Sequence, residues 1–256
     1  MFLNDCYISY LNLDHRIDRL EHIQKEFAKL GLNAERTRGN LPEEIDDGTN
    51  PNYQVMWNRT KGALPCHFGQ VEIMKKALSK GKHAFVNEDD VVFCEDFHQR
   101  MKIADEFLYW LDWDIFWLGG TWHPSSQTWW HKHGHSPDLP QCECTLGVDA
   151  EATESKYLVR TYGAFSTHSY IVNKKFIPTL LAFLEQNIHL SMGIDWLMIL
   201  LQPQIRAYAF VPGIAKQLDN MSDIGHGMTV FSGFKMLGEH WWQNRMEDFD
   251  YNKFSV

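Results

Sequence analysis

The stretch Lys82–Phe93, KHAFVNEDDVVF, places three adjacent acids between two apolar runs. The runs Ala84–Val86 and Val91–Phe93 are rich in β-prone residues, which predicts strands that are buried in a sheet. The acids of the triplet Glu88-Asp89-Asp90 repel one another and are costly to bury without partners. Their position where a buried strand leaves its sheet therefore needs a chemical reason.

Strands and helices alternate on both sides of this stretch. Cys6–Leu13 reads as a buried strand, and apolar residues between Ile17 and Leu30 recur at helical spacing. A second helical stripe, Pro65–Leu78, precedes the acidic strand, and the short apolar strand Asp114–Gly120 follows it. This alternation predicts an α/β fold, in which one domain spans residues 1–256 and helices flank a mainly parallel central sheet.

Two segments lack this periodicity. Residues 121–156 are rich in Trp, His, Pro and Cys and predict an irregular insertion, and the Gly- and Met-rich tail from residue 213 is predicted to be irregular too. The insertion holds five residues of zinc-ligand type, but H-x-H-x-H and C-x-C are not the usual structural zinc spacings. They are His131, His133, His135, Cys142 and Cys144. A loop, or a lid whose tryptophans stack on sugar rings, is favoured over zinc.

Composition excludes several classes of protein. The 24 basic and 33 acidic residues give a net charge of −9, which argues against a nucleic-acid binder but permits an anionic small ligand. No apolar run reaches the ~18 residues of a membrane span, and the first residues lack the pattern of a signal peptide. Five cysteines without a framework spacing suit reduced thiols. We therefore expect a cytoplasmic protein without a transmembrane segment.

The acidic triplet favours a metal site. In open α/β sheets, ligands bind beyond the carboxyl ends of the strands. Alternation along a strand places Glu88 and Asp90 on one side and Asp89 on the other. Two carboxylates on the same side suit Mg²⁺ or Mn²⁺, which prefer oxygen ligands. A solvated acidic turn that ends the strand is the alternative, and the triplet alone does not decide between them.

Several motifs occur in an order that is typical of one enzyme family. The most specific are Asn12-Leu13-Asp14-x-Arg16-x-x-Arg19, the triplet Glu88-Asp89-Asp90, and a run from Pro212 through Gln217 to Ile224. With these motifs the chain resembles glycosyltransferase family 25, the lipopolysaccharide-biosynthesis and collagen-galactosyltransferase type, over residues 6–224. The resemblance implies a GT-A fold and inverting transfer of a hexose from a nucleotide sugar.

The resemblance also implies the ligands and the residues that bind them. The donor is a UDP-hexose, with galactose suggested by the family, and the acceptor is a hydroxyl of a glycan, a glycolipid or a protein. A divalent cation, Mn²⁺ or Mg²⁺, is held by Glu88, Asp90 and His226, and Asp195 is the catalytic base. The implied donor-binding residues are Asn12, Asp14, Arg16, Arg19, Gln70, Asn87, Asp89, Gly119, Gly120 and Asp223.

These roles have structural alternatives. Arg16 and Arg19 fit an ordinary solvated helix face, Asp195 fits a helix N-cap or first-turn acid, and His226 fits a surface histidine. One motif also departs from the family, because Gly69 and Gln70 stand where Ser and His are usual. A nucleotide-sugar-binding relative without catalysis and a metal-dependent phosphohydrolase are therefore the competing functions.

Overall fold

The computed structural model describes residues 2–53, 61–119, 121–122, 150–155, 157–190, 193–210 and 213–218. The strands in these ranges are β1 (Cys6–Leu13), β2 (Glu35–Gly39), β3 (His83–Glu88), β4 (Val91–Phe93), β5 (Ile115–Trp117), β6 (Thr121–Trp122), β7 (Ala150–Ala152), β8 (Leu158–Thr161), β9 (Ala164–Phe165), β10 (Ser169–Val172), β11 (Ala207–Phe210) and β12 (Ala215–Gln217). The α-helices are α1 (Ile17–Lys29), α2 (Pro42–Ile45), α3 (Ala63–Ser79), α4 (Phe97–Leu108), α5 (Ile177–Asn187) and α6 (Ile194–Leu201).

Eight of these strands form one mixed sheet in the order β2-β1-β3-β10-β5-β11-β8-β7. Only β10 and β8 run against the other six, because β1 pairs in parallel with β2 and β3, and β5 pairs in parallel with β11. The predicted α/β fold with a mainly parallel sheet is confirmed. The reversed strand β10 lies in the middle of the sheet, between β3 and β5.

Neighbouring residues of each central strand pack into two separate hydrophobic cores, one on each face of the sheet. Phe85 and Phe116 pack with α1 and α4 on one face of the sheet, whereas Val86 and Trp117 pack with α3, α5 and α6 on the other. Helices thus cover both faces, which explains why the central strands read as continuous apolar runs rather than as alternating ones. No helix in the part of the chain that the structure describes is long and apolar enough to span a membrane.

The predicted irregular segments are partly regular. Within residues 121–156, the ends form β6 and β7, and β7 extends the main sheet by pairing with β8. Within the tail, β12 pairs antiparallel with β4, so that Gln217 lies opposite Val91. The prediction of irregular structure is therefore wrong at these positions, whose short strands are specified by distant partners. Residues 123–149 and 219–256 lie outside the described residues, and with them the zinc-type residues of the insertion.

Candidate active site

Glu88 is the last residue of β3, and one of its two oxygens is held by buried donors. Oε1 accepts hydrogen bonds from Nε2 of Gln70 at 3.1 Å and from Oγ1 of Thr167 at 3.2 Å. The thiol of Cys66 lies 3.8 Å from the same oxygen. Cys66 and Gln70 are one helical turn apart on α3, so a single helix face presents both groups to the end of the strand.

The orientation of the Gln70 amide is fixed by Tyr170 of β10. The Tyr170 hydroxyl donates to Oε1 of Gln70 at 2.8 Å, which turns Nε2 towards Glu88 and Thr167. Both side chains are completely buried. Gln70 therefore has no surface that a donor could touch in this structure, although the resemblance implies such a contact. Its observed role is to hold Glu88.

Arg19 of α1 is the cation that accompanies the other two acids. Its Nη1 lies 3.1 Å from Oδ1 of Asp89 and 3.2 Å from Oδ2 of Asp90, with all three side chains buried. Asn12 at the end of β1 donates to Oδ2 of Asp89 at 2.7 Å. Asn12, Arg19 and Asp89 thus come together, but in this structure they bind one another.

Gln217 of β12 completes the cluster from the far end of the chain. Its Nε2 lies 3.1 Å from Oε2 of Glu88 and 3.5 Å from Oδ1 of Asp90. Glu88 and Asp90 therefore face one common point, in agreement with the alternation of their side chains, while Asp89 turns towards Asn12. Gln217 is absent from the predicted site residues, and its place in the run from Pro212 to Ile224 was the available signal.

Gly119 explains how β12 reaches this position. A Cβ at Gly119 would overlap the carbonyl oxygen of Ala215 and would lie 2.7 Å from Nε2 of His168. The backbone of Leu118 also accepts hydrogen bonds from the N–H groups of Ile214 and Ala215. A glycine is needed here for close packing of two backbones. The structure thus gives Gly119 a packing role, and its contact with the donor stays a prediction.

Burial governs the charge of the acids. It raises the pKa of Glu88 well above its usual range, and the negative charges of Asp90 and Asp195 add to this increase. Burial also raises the pKa of Asp90 to about 6, although the positive charge of Arg19 opposes this shift. Several acids with raised pKa values in one cluster are typical of functional sites. A bound cation would reduce the repulsion between their negative charges.

Asp195 is near enough to Glu88 to influence its charge. It lies in the first turn of α6, where its Oδ1 accepts a hydrogen bond from the backbone N–H of Trp196 at 2.9 Å. Burial raises its pKa to about 6, and its charge raises the pKa values of both Glu88 and Cys66. The carboxylate therefore lies within electrostatic range of the triplet, although it comes from a segment about a hundred residues downstream.

The remaining predicted donor-binding residues at the ends of β1 and β2 are more exposed. Asp14 accepts hydrogen bonds from Arg36 and Arg38, each at 2.7 Å, and Arg16 pairs with Asp18 at 2.8 Å. Arg36 and Arg38 are missing from the prediction, although their i, i+2 spacing in β2 indicates one shared side of the strand. Arg36 also donates to Oδ1 of Asn12 at 2.9 Å, which connects this guanidinium group to the residue that binds Asp89.

Asn87 links neighbouring strands inside the sheet. Its Nδ2 donates to the carbonyl oxygen of Ser9 at 3.2 Å, and its Oδ1 accepts from the hydroxyl of Ser169 at 2.9 Å, so it joins β1 to β10. The side chain is completely buried, and no surface remains for the implied donor contact. Gly120, Asp223 and His226 lie outside the described residues.

The predicted cation site would be formed by Glu88, Asp90 and His226. Among the described residues, no group of three or more His, Cys, Asp or Glu side chains is arranged as a metal site. Glu88 and Asp90 nevertheless each direct one oxygen at the amide of Gln217, and such oxygens are the ligands that Mg²⁺ and Mn²⁺ prefer. The donor set fits a divalent cation, with the third predicted ligand, His226, outside the described residues.

Fold and site together define an α/β enzyme whose polar cluster lies at the carboxyl ends of parallel strands, where such folds bind their ligands. The model of glycosyltransferase family 25, described as an LPS biosynthesis protein, matches residues 6–198. The chain therefore belongs to glycosyltransferase family 25. A comparison with curated proteins finds no match.

Proposed function

We propose that this glycosyltransferase transfers a hexose from a nucleoside diphosphate sugar, a UDP-hexose such as UDP-galactose, to a hydroxyl group with inversion. The acceptor is a glycan, a glycolipid or a hydroxylated protein. One observation carries the proposal: Asp195, from a separate segment, lies close enough to Glu88 for its negative charge to raise the pKa of that acid. Inverting transfer needs a base on one side of the sugar and charge stabilisation on the other, and these two segments supply suitable groups.

In the proposed reaction, Asp195 accepts the proton of the acceptor hydroxyl as that oxygen attacks the anomeric carbon. The new bond joins the acceptor oxygen to the sugar, and the bond between the sugar and the diphosphate breaks with its electron pair on the diphosphate. A carboxylate whose pKa is raised to about 6 is a better proton acceptor than an ordinary aspartate, yet it is still ionised at neutral pH.

Glu88 and Asp90 would hold the divalent cation. When bound there, the cation supplies positive charge that stabilises the leaving nucleoside diphosphate. Arg16, Arg36 and Arg38 are each paired with a nearby acid, and an anionic donor would compete with those acids for their positive charge. This arrangement reconciles the net negative charge of the chain with an anionic ligand.

The departure from the family motif at residues 69 and 70 is accommodated within the site. A side chain at Gly69 would overlap the Leu11 side chain, so glycine at this position allows α3 to pack closely on β1. Gln70 supplies a hydrogen-bond donor to Glu88. These contacts support an intact site rather than one that has lost its function.

A panel of nucleotide sugars in a thermal-shift assay, with and without Mn²⁺, tests the proposal. At a hundred times its Kd, a ligand stabilises the native state by about 2.7 kcal/mol, which corresponds to roughly 5–10 °C in Tm for a chain of this size. We expect a UDP-hexose to give this shift with Mn²⁺ and to lose it in Asp90→Asn, whereas Glu95→Gln, at an exposed position, retains it.

Three outcomes would count against parts of the proposal. No shift with any nucleotide sugar would reject the donor class, and an equal shift in chelator and in Asp90→Asn would reject the role of the cation. Release of phosphate from nucleotides without transfer of sugar to any acceptor would favour the phosphohydrolase.

A further inference from the structure

The oxygens of Glu88 and Asp90 fall into two kinds. Glu88 Oε1 is held by Gln70 and Thr167, and Asp90 Oδ2 is held by Arg19. The other two oxygens, Glu88 Oε2 and Asp90 Oδ1, share a donor, the Nε2 group of Gln217. Each carboxylate thus has one anchored oxygen and one oxygen that faces the amide.

The backbone of Gln217 is fixed, whereas its side chain keeps freedom to turn. Gln217 lies opposite Val91 in the pairing of β12 with β4, and the next N–H, that of Leu218, donates to the carbonyl oxygen of Asp90 at 2.8 Å. The side chain is partly exposed to solvent. The terminal torsion of a glutamine is soft and roughly two-fold, so a half turn exchanges its amide nitrogen and oxygen at little cost.

The side-chain amide of a glutamine has a donor group and an acceptor group, so it can bind carboxylates when no metal is present and a cation when one is bound. Its NH₂ group donates hydrogen bonds to carboxylates, and its carbonyl oxygen is a ligand for hard cations. A lysine here would pair permanently with both acids and occupy the place of the cation. A glutamate would add a third negative charge to the cluster. Glutamine alone among these can satisfy two carboxylates without a metal and then contribute an oxygen to one.

We propose that Gln217 is a reversible member of the cation position between Glu88 and Asp90. Without metal, its Nε2 group binds the two facing oxygens and holds the acids together. With a divalent cation bound, the amide turns and its Oε1 becomes a protein ligand. The inference rests on the cation dependence in the proposed function, and it adds a ligand from β12 to the two acids.

Direct binding of Mn²⁺, followed by the electron paramagnetic resonance signal of free Mn²⁺, tests this inference without relying on activity. Gln217→Met keeps the length of the side chain but removes both polar groups, so Mn²⁺ affinity should fall about tenfold or more. The Tm in chelator should also fall, by about 2–8 °C, because two acids lose their shared donor. Gln99→Met, at an exposed position on α4, is the matched control.

Gln217→Glu separates the two states. It keeps oxygen ligands and removes the donor, so the Tm in chelator should fall while Mn²⁺ affinity stays equal to that of the wild type or rises. A residue with a purely structural role would lower Tm in both variants and leave Mn²⁺ affinity unchanged. If Gln217→Met does not fold, Gln217→Asn, which withdraws the same amide by one methylene group, makes the same comparison.

The outcomes separate this inference from the proposed function. If Asp90→Asn abolishes Mn²⁺ binding but Gln217→Met and Gln217→Asn bind as tightly as the wild type, the role of Gln217 is overturned and the cation site stands. If the wild type itself binds no Mn²⁺ or Mg²⁺ in the presence of the donor, both the cation dependence and the role of Gln217 are overturned.

Discussion

Asp195→Asn should make the protein more stable and much slower. The substitution removes one negative charge from the cluster and preserves the shape of the side chain, and the hydrogen bond from the N–H of Trp196 to Oδ1 can persist. In the wild type this charge raises the pKa of Glu88, so the two carboxylates repel each other. The residue is thus unfavourable for folding but suited to accept a proton.

The expected gain follows from the raised pKa of Asp195. Burial raises that pKa from 3.8 to about 6, so the native state binds this proton more tightly than the unfolded chain does. Wild-type stability therefore falls as pH rises from about 4 to about 6, and one pKa unit corresponds to about 1.4 kcal/mol. Above pH 6, the largest gain in unfolding free energy that Asp195→Asn can give is therefore about 3 kcal/mol. Because Asp195 keeps some solvent exposure, we expect about 1–2 kcal/mol.

Urea unfolding in chelator at pH 4.5 and pH 7.5 measures this gain, with Glu95→Gln as the exposed control. The difference in unfolding free energy between Asp195→Asn and wild type should be small at pH 4.5 and largest at pH 7.5. Turnover with donor and acceptor should fall by ~10²–10⁴, the usual effect of removing a positioned base, while donor binding is kept. Equal stability at pH 7.5 would refute the charge argument. Near-normal turnover would refute the role as base and make Asp223 the next candidate.

Three further substitutions test the supports of the site. Arg19→Met leaves two buried acids without their cation, and urea unfolding at pH 7.5 should show a loss of about 3–5 kcal/mol. The loss should be smaller at pH 4.5, because burial raises the pKa of both acids and protonation removes their charge. Gly119→Ala forces β12 away from Leu118 and Gly119, so calorimetry should show a lower Tm and titration should show a weaker affinity for Mn²⁺. An unchanged Tm would contradict the packing role. Thr167→Val removes a donor to Glu88 and should cost about 1–3 kcal/mol in urea unfolding, whereas Thr167→Ser, which keeps the hydroxyl, should lose less.

Local patterns predicted the parts of the fold that local chemistry decides. The apolar runs around the triplet are β3 and β4, and the alternation of Glu88 and Asp90 does bring both acids to one point. Periodicity could not predict that β10 enters the middle of the sheet in the opposite direction, because a short apolar strand carries no information about its neighbours.

The groups that hold the site were harder to predict than the acids themselves. Thr167, Tyr170 and Gln217 are ordinary polar residues in the sequence, and only long-range pairing brings them to β3. Gly119 shows a related difficulty, because a glycine indicates that something approaches closely but not whether it is a ligand or another strand.

The distance along the chain between Glu88 and Gln217 has a consequence for synthesis. The two residues are 129 positions apart, and at about 5–20 residues per second the ribosome needs roughly 6–25 seconds to add the second after the first. During most of that interval β10 is also missing, so one edge of β3 has no partner. Charged residues beside an open strand edge oppose pairing with other chains. We therefore expect the acidic triplet to oppose such pairing while the sheet is incomplete, before it has any ligand to bind.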